Sequence, residues 1–336
     1  MKIIHYSISI VMLAGLTISV IAAPESTRKD LDKNLPRISI TSEQVKMYVD
    51  VMEAKVHNIR PDNASIVRYA NEDLKNQTEY CLLYLHGFSA SPMEGYPVHI
   101  NLGKDFGMNL YIPRLADHGL DTPDALLYTT PENMWNSAKE ALVLAKALGK
   151  KVILVGTSGG GTLALQLAVD YPQDIVALIL YSPCVKIANK ASWLLARPFG
   201  LQLGRLFSGG KYRIINNGPE SDPYWNKKYR VEGVVYLQKL MEMTMKIKTF
   251  KAVTQPVFTG YYYKDKENQD QTVSVKSILW MFENLGTPTD KKVAIAYPDA
   301  HDHVICSDLF NPNYMKVYQS TVAFLTKTLG LVPVKK

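Results

Sequence analysis

The stretch 151–169 leaves this chain few ways to fold. Residues 151–155 are a short apolar run, as expected of a strand covered on both faces, and an apolar helical segment follows over 159–169, broken before Pro172. Between them stands Gly156-Thr157-Ser158-Gly159-Gly160, a G-x-S-x-G pattern. A strand that becomes a helix in so few residues passes through a sharp turn, and glycines flank the serine because side chains there would clash. The start of the helix aims unpaired N–H groups at the same point. The competing reading is a phosphate-binding glycine loop, which wants G-x-G-x-x-G, or G-x-x-x-x-G-K-[ST] with a lysine; no lysine follows here. Ser158 is therefore the candidate nucleophile.

Around this unit, strand-like and helical stretches alternate. Residues 80–85, 108–112, 175–181, 257–262 and 293–297 read as strands, and 134–148 and 313–329 as helices. Such alternation predicts an α/β class, with a mostly parallel central sheet and helices on both faces. With 336 residues, 47% hydrophobic and 21% charged, the chain can bury a large core and carry an insertion. The alternation breaks between Pro183 and about Ala252. Helical runs at 193–207 and 234–245, rich in aromatics and Met, lie either side of the turn-rich Ser208-Gly209-Gly210 and Asn216-Asn217-Gly218-Pro219. Residues 184–252 are thus expected to form an inserted helical cap, splitting the core into 80–183 and 253–336. Residues 23–79 form an N-terminal extension with one helix, opened by Thr41 or Ser42 and marked by Val45, Tyr48, Val49, Met52 and Val56.

The N-terminus reads as an export signal over 1–22: Lys2, an apolar run from Ile8 to Val20, then small residues at Ala22 and Ala23. The expected location is periplasmic or extracellular, with an uncleaved membrane anchor as the alternative. Three scattered cysteines, Cys81, Cys184 and Cys306, are no disulfide framework; they read as small buried hydrophobes, although a Cys184–Cys306 pair is conceivable. No Cys-x-x-Cys metal spacing occurs. Net charge is +7, but residues 184–252 hold 13 Lys/Arg against 4 Asp/Glu, a net +9 that leaves −2 for the rest. Such a segment could face an anionic surface, or be an ordinary solvated face. Nothing in the pattern points to nucleic acid.

Two further segments complete a chemistry for Ser158. His86-Gly87-Phe88-Ser89-Ala90-Ser91-Pro92 follows the first buried strand, where a backbone N–H can serve an oxyanion hole; by position the donors are Phe88 and Gly159. An acid and then a base are expected further on. The loop after 257–262 offers Asp265, Glu267 and Asp270; Asp270 is preferred because Asp270-x-x-Val273 enters the next helical segment, with Asp265 second and Glu267 third. Past the last strand, His301 and His303 compete; His303 is preferred because Val304-Ile305 beside it can pack and fix the ring. A His-x-His metal site is the alternative there, but further ligands are not evident.

With these residues assembled, the chain resembles the α/β-hydrolases, most of all the bacterial monoacylglycerol lipase and carboxylesterase branch. The resemblance covers about residues 80–330 and also rests on Tyr111-Ile112-Pro113-Arg114-Leu115 and His118-Gly119. It implies a triad of Ser158, Asp270 and His303, an oxyanion hole of Phe88 and Gly159, no cofactor and no metal. The expected activity is hydrolysis of a small-molecule carboxylic ester through an acyl-enzyme. Trp193, Leu194, Leu195, Phe199, Leu203, Phe207, Leu237, Leu240, Met241 and Met245 either line an acyl pocket or form the cap's own core. Competing expectations are acyl transfer to an alcohol, which shares the acyl-enzyme, and a hydrolase-like binding protein. A peptidase is disfavoured, as no large gating domain is present.

Overall fold

The structure is a computed structural model, and it describes residues 30–216 and 218–334. The 1–22 signal reading therefore lies outside the described residues. Among the described residues, no helix is long and apolar enough to cross a membrane.

The N-terminal part folds back on the main body. Helix α1, Ser42–Ala54, opens with a capping box in which the Thr41 N–H donates to Gln44 Oε1, and it buries Val45 and Val49. A strand β1, Ile66–Arg68, follows, which the sequence pattern does not announce: it is three residues long and pairs antiparallel at the sheet edge. The extended residues before α1 are tied down as well, since Asp32 accepts hydrogen bonds from Trp135 Nε1 at 2.6 Å and Lys139 Nζ at 3.1 Å.

The sheet continues through β2, Thr78–Leu85; β3, Asn109–Ile112; β4, Gly149–Thr157; and β5, Ile175–Tyr181. The helices between these strands are α2, Val98–Asp105; α3, Pro131–Leu148; and α4, Gly159–Asp170. Residues 182–256 leave the sheet and hold α5, Gly200–Phe207; the antiparallel pair β6, Tyr212–Ile214, and β7, Lys228–Arg230; then α6, Val231–Thr244, and α7, Ile247–Ala252. The chain returns with β8, Val257–Tyr261; α8, Val275–Glu283; β9, Lys292–Ala296; and α9, Tyr314–Lys327. The seven-stranded order is β1-β3-β2-β4-β5-β8-β9, parallel except for β1.

Alternation of side chains along the strands divides the core in two. Leu83, Leu85, Val152 and Leu154 face α3 and α4, while Leu82, Tyr84, Ile153 and Val155 face α2 and α9. Both faces are covered, so β4 is buried throughout its last six residues.

Two expectations for the insertion need correction. The helical run 193–207 is two pieces: a 3-10 turn at Ser192–Ala196, then α5, with Phe199 between them at φ +63° just after Pro198. Proline removes the N–H a continuous helix needs, and the left-handed residue turns the chain. The turn-rich middle also contains the β6–β7 pair, whose three residues on each side are too short to register as a pattern.

Candidate active site

Ser158 sits at the C-terminal end of β4, in the middle of the sheet, with φ +53° and ψ −117°. That left-handed backbone is costly for a residue with a Cβ and persists because its surroundings enforce it. A Cβ on Gly160 would lie 1.9 Å from the Leu85 carbonyl oxygen, and one on Gly156 2.6 Å from the Gly160 oxygen. The two glycines let α4 start tight against the ends of β2 and β4. The Ser158 N–H donates to Tyr181 O at 3.0 Å, tying the turn to the neighbouring strand.

Asp270 lies in the loop after β8 and His303 in the loop after β9, and the fold brings them together. His303 Nδ1 donates to Asp270 Oδ2 at 2.6 Å. The other oxygen of Asp270 accepts the Thr272 and Val273 N–H groups at 2.8 and 2.9 Å, so the carboxylate cannot swing away. His303 is held from its backbone too: Ser182 Oγ donates to its carbonyl at 2.7 Å. Burial disfavours charge on this imidazole, but the Asp270 charge and hydrogen bond, helped by Glu94 and Asp302, outweigh it and hold its pKa above the ordinary value. Nε2 of His303 is buried without a hydrogen-bond partner, and no bond joins it to Ser158 Oγ. Both residues line one cavity of about 620 Å³.

The competing residues make different contacts, although His301 stands at the wall of the same cavity. Asp265 is spent on Asn268 and the Glu267 N–H, and Glu267 is exposed. His301 is exposed, has φ +58° and rests against Tyr262 with ring centroids 6.0 Å apart. Among the described residues, no group of three or more His, Cys, Asp or Glu side chains could hold a metal ion.

The Phe88 and Gly159 N–H groups have no hydrogen-bond acceptor among the described residues, and Phe88 N lies 3.4 Å from the position a Cβ on Gly159 would take. The loop carrying Phe88 is braced by neutral histidines. His86 Nδ1 donates to Gly87 O at 2.9 Å while its Nε2 accepts the Leu115 N–H at 3.0 Å, and His118 Nδ1 donates to Ala116 O. Burial keeps His86 far below, and His118 at about 4, so both stay uncharged. The cysteines are free and buried, and burial pushes Cys184 and Cys306 up to about 12, so none is a thiolate.

Sequence reading missed Glu94. Its side chain is buried, lines the same cavity, and accepts the Gly87 N–H at 2.6 Å and the Tyr84 hydroxyl at 3.2 Å. The only sequence signal is Ser91-x-x-Glu94, which suggests a helix start rather than a cavity wall. Burial raises its pKa to about 7, against the opposing pull of Gly87, His303 and Tyr84. If His303 serves as a base it works only when neutral, and activity is then expected to fall as pH drops through its raised pKa. Glu94→Gln removes a neighbouring negative charge but keeps an acceptor for Gly87. We expect the acid limb of kcat/KM to move to lower pH in this variant. A limb that stays in place, measured side by side with the unaltered protein, contradicts the coupling.

The sheet order, the elbow at the end of β4 and the covering helices define the α/β-hydrolase fold. The chain therefore has the α/β-hydrolase fold. Residues 134–282, which include Ser158 and Asp270, match the family model Hydrolase_4, described as serine aminopeptidase, S33. No curated protein matches the chain in sequence. Among solved structures, one from the work on the metagenome-derived lipolytic enzymes LipS and LipT is 14% identical, covering 80% of this chain and 100% of that chain with a TM-score of 0.65. A soluble variant of monoglyceride lipase from Saccharomyces cerevisiae, in complex with a substrate analog, is 13% identical over 78% of this chain and 91% of its own, with a TM-score of 0.55. Est1E from Butyrivibrio proteoclasticus, with ferulic acid bound, is 13% identical over 82% and 100%, with a TM-score of 0.54.

Proposed function

We propose that this chain is a serine hydrolase of carboxylic esters, of carboxylesterase or monoacylglycerol-lipase type. The observation that carries the reading is the strained Ser158 turn sharing a cavity with the 2.6 Å His303–Asp270 pair. His303 Nε2 takes the Ser158 proton as Oγ attacks the ester carbon, and this nitrogen has no other partner to compete for it. Nucleophile-to-base contacts are often loose in unliganded sites and tighten with substrate. Asp270 holds the tautomer that leaves Nε2 free to accept, and it stabilises the imidazolium. The Phe88 and Gly159 N–H groups receive the oxyanion, each worth about 3 kcal/mol by analogy with other such donors. His303 then returns its proton to the departing alcohol oxygen. Water attacks the acyl-enzyme, giving its proton to His303, and Ser158 is regenerated as the acid leaves.

The apolar residues of the insertion do not divide simply between the two roles expected of them. Leu237 lines the main cavity, while Leu194, Leu195, Leu203 and Phe207 line a second cavity of about 200 Å³. Leu240 and Met241 belong to the buried core, Met245 packs partly against it, and Trp193 and Phe199 are exposed. The two cavities share Ile187, Asn189, Arg213 and Val234, which supports an acyl chain running from Ser158 toward the second one.

The test is hydrolysis of p-nitrophenyl esters from acetate to laurate, with alanine p-nitroanilide alongside. We expect ester cleavage that peaks at one acyl length, and little anilide cleavage. A flat acyl profile contradicts the pocket, and anilide cleavage faster than any ester contradicts the esterase reading. Acyl transfer would appear as new esters of added glycerol.

A further inference from the structure

The outer face of the insertion combines two features that seldom occur together on a surface facing only water. The first is charge. Residues 175–219 contain no Asp or Glu, while Lys186, Lys190, Arg197, Arg205, Lys211 and Arg213 fall within that stretch. Arg197 and Arg205 are paired with Glu242 and Glu232 of α6, whereas Lys190, Lys211 and Arg213 have no carboxylate partner among the described residues. The second is exposed apolar area. Phe207 is 81% exposed, Leu206 and Ile214 75% each, Phe199 62% and Trp193 47%. These five large apolar side chains fall within 22 residues of sequence, on or beside three elements that adjoin the second cavity through Leu194, Phe207 and Arg213.

We propose that this face, built from the 3-10 turn at Ser192–Ala196, α5 and β6, docks on an anionic bilayer surface. The chemistry fits that occupant from both sides. Lys and Arg are drawn to anionic headgroups, at about fivefold in affinity for each cation near the surface. Apolar side chains enter the boundary between headgroups and acyl chains, the arrangement of an interfacial helix. Arg197 sits over the Trp193 ring at 5.6 Å, which keeps a cation and an indole together at one level. Placement adds a reason for such docking. Phe207 lines the second cavity from this face, and that cavity shares four residues with the one holding Ser158. A docked face would thus put a lipid's acyl chain at the entrance of a route to the serine. That last step rests on the hydrolase reading above; the docking itself does not.

The test reads binding without turnover. The full chain is mixed with vesicles of phosphatidylcholine, with or without about one-third phosphatidylglycerol, and floated at low and high salt. We expect capture by the anionic vesicles, lost by tenfold or more at high salt because surface charges are screened. Leu206→Ser with Ile214→Ser, two side chains outside both cavities, should weaken capture at least tenfold and leave hydrolysis of a short soluble ester unchanged. Lys190→Gln with Lys211→Gln should reduce capture and its salt dependence together. The proposal is overturned if the unaltered chain stays unbound with anionic vesicles at low salt, or if Leu206→Ser with Ile214→Ser floats as well as it does. Equal capture by neutral vesicles overturns the choice of an anionic surface. A dimer in solution that the same serine pair dissolves assigns the face to a second copy instead. Failure of ester hydrolysis leaves these binding results standing, so the two readings fail separately.

Discussion

Ser158→Ala is expected to lower kcat by about a millionfold, to the level left by substrate binding and the oxyanion donors alone. The expectation follows from position. Ser158 projects from a turn held left-handed by two glycine contacts, and alanine can occupy the same backbone, so the fold should survive the change. Thermal melting of the variant should match the unaltered protein while turnover disappears. Residual activity above a few per cent would mean that another group performs the attack. Neither Cys184 nor Cys306 can take over, because both thiols are held protonated by burial.

The second large effect belongs to Asp270→Asn, expected to cost about 10⁴-fold in kcat. Asparagine is the same size, and its carbonyl oxygen can still accept the Thr272 and Val273 N–H groups, so the loop should hold. What changes is the other atom. An amide NH2 facing Nδ1 donates rather than accepts, which favours the tautomer with its proton on Nε2, the nitrogen that has to receive the serine proton. The raised pKa of His303 should fall as well, since the charge that raises it is gone. Asp265→Asn is the control. That carboxylate is occupied by Asn268 and backbone N–H groups within its own turn, and its loss should change kcat by less than about twofold.

The difference between these two aspartates shows where sequence reading stops. Ser158 was legible because its constraint is local: a strand, a turn and a helix within 20 residues, with glycines where side chains collide. Asp270 and His303 are preferred in the sequence over the neighbours in their loops, but only on the residues that follow them. The fold separates them. It buries Asp270 and leaves Asp265 to serve its own turn; it packs Val304 and Ile305 inside and turns His301 outward at positive φ. Glu94 lay beyond reach, because its role depends on Gly87 and Tyr84 meeting it through the close of a loop and a strand. The β1 edge strand and the β6–β7 pair were missed for another reason: three residues are too few to show a period of two. The exposed apolar face of the cap is likewise a property of the fold. From the sequence its residues could as easily have been buried, as Leu240 and Met241 are.

The most direct test of the central claim is covalent labelling with a fluorophosphonate, followed by mass mapping of the modified peptide. The expected result is one adduct per chain, on Ser158, formed faster as pH rises through the His303 titration and absent from Ser158→Ala. A folded protein that takes no label, or takes it on a serine other than Ser158, would contradict the assignment of Ser158 and the hydrolase reading built on it.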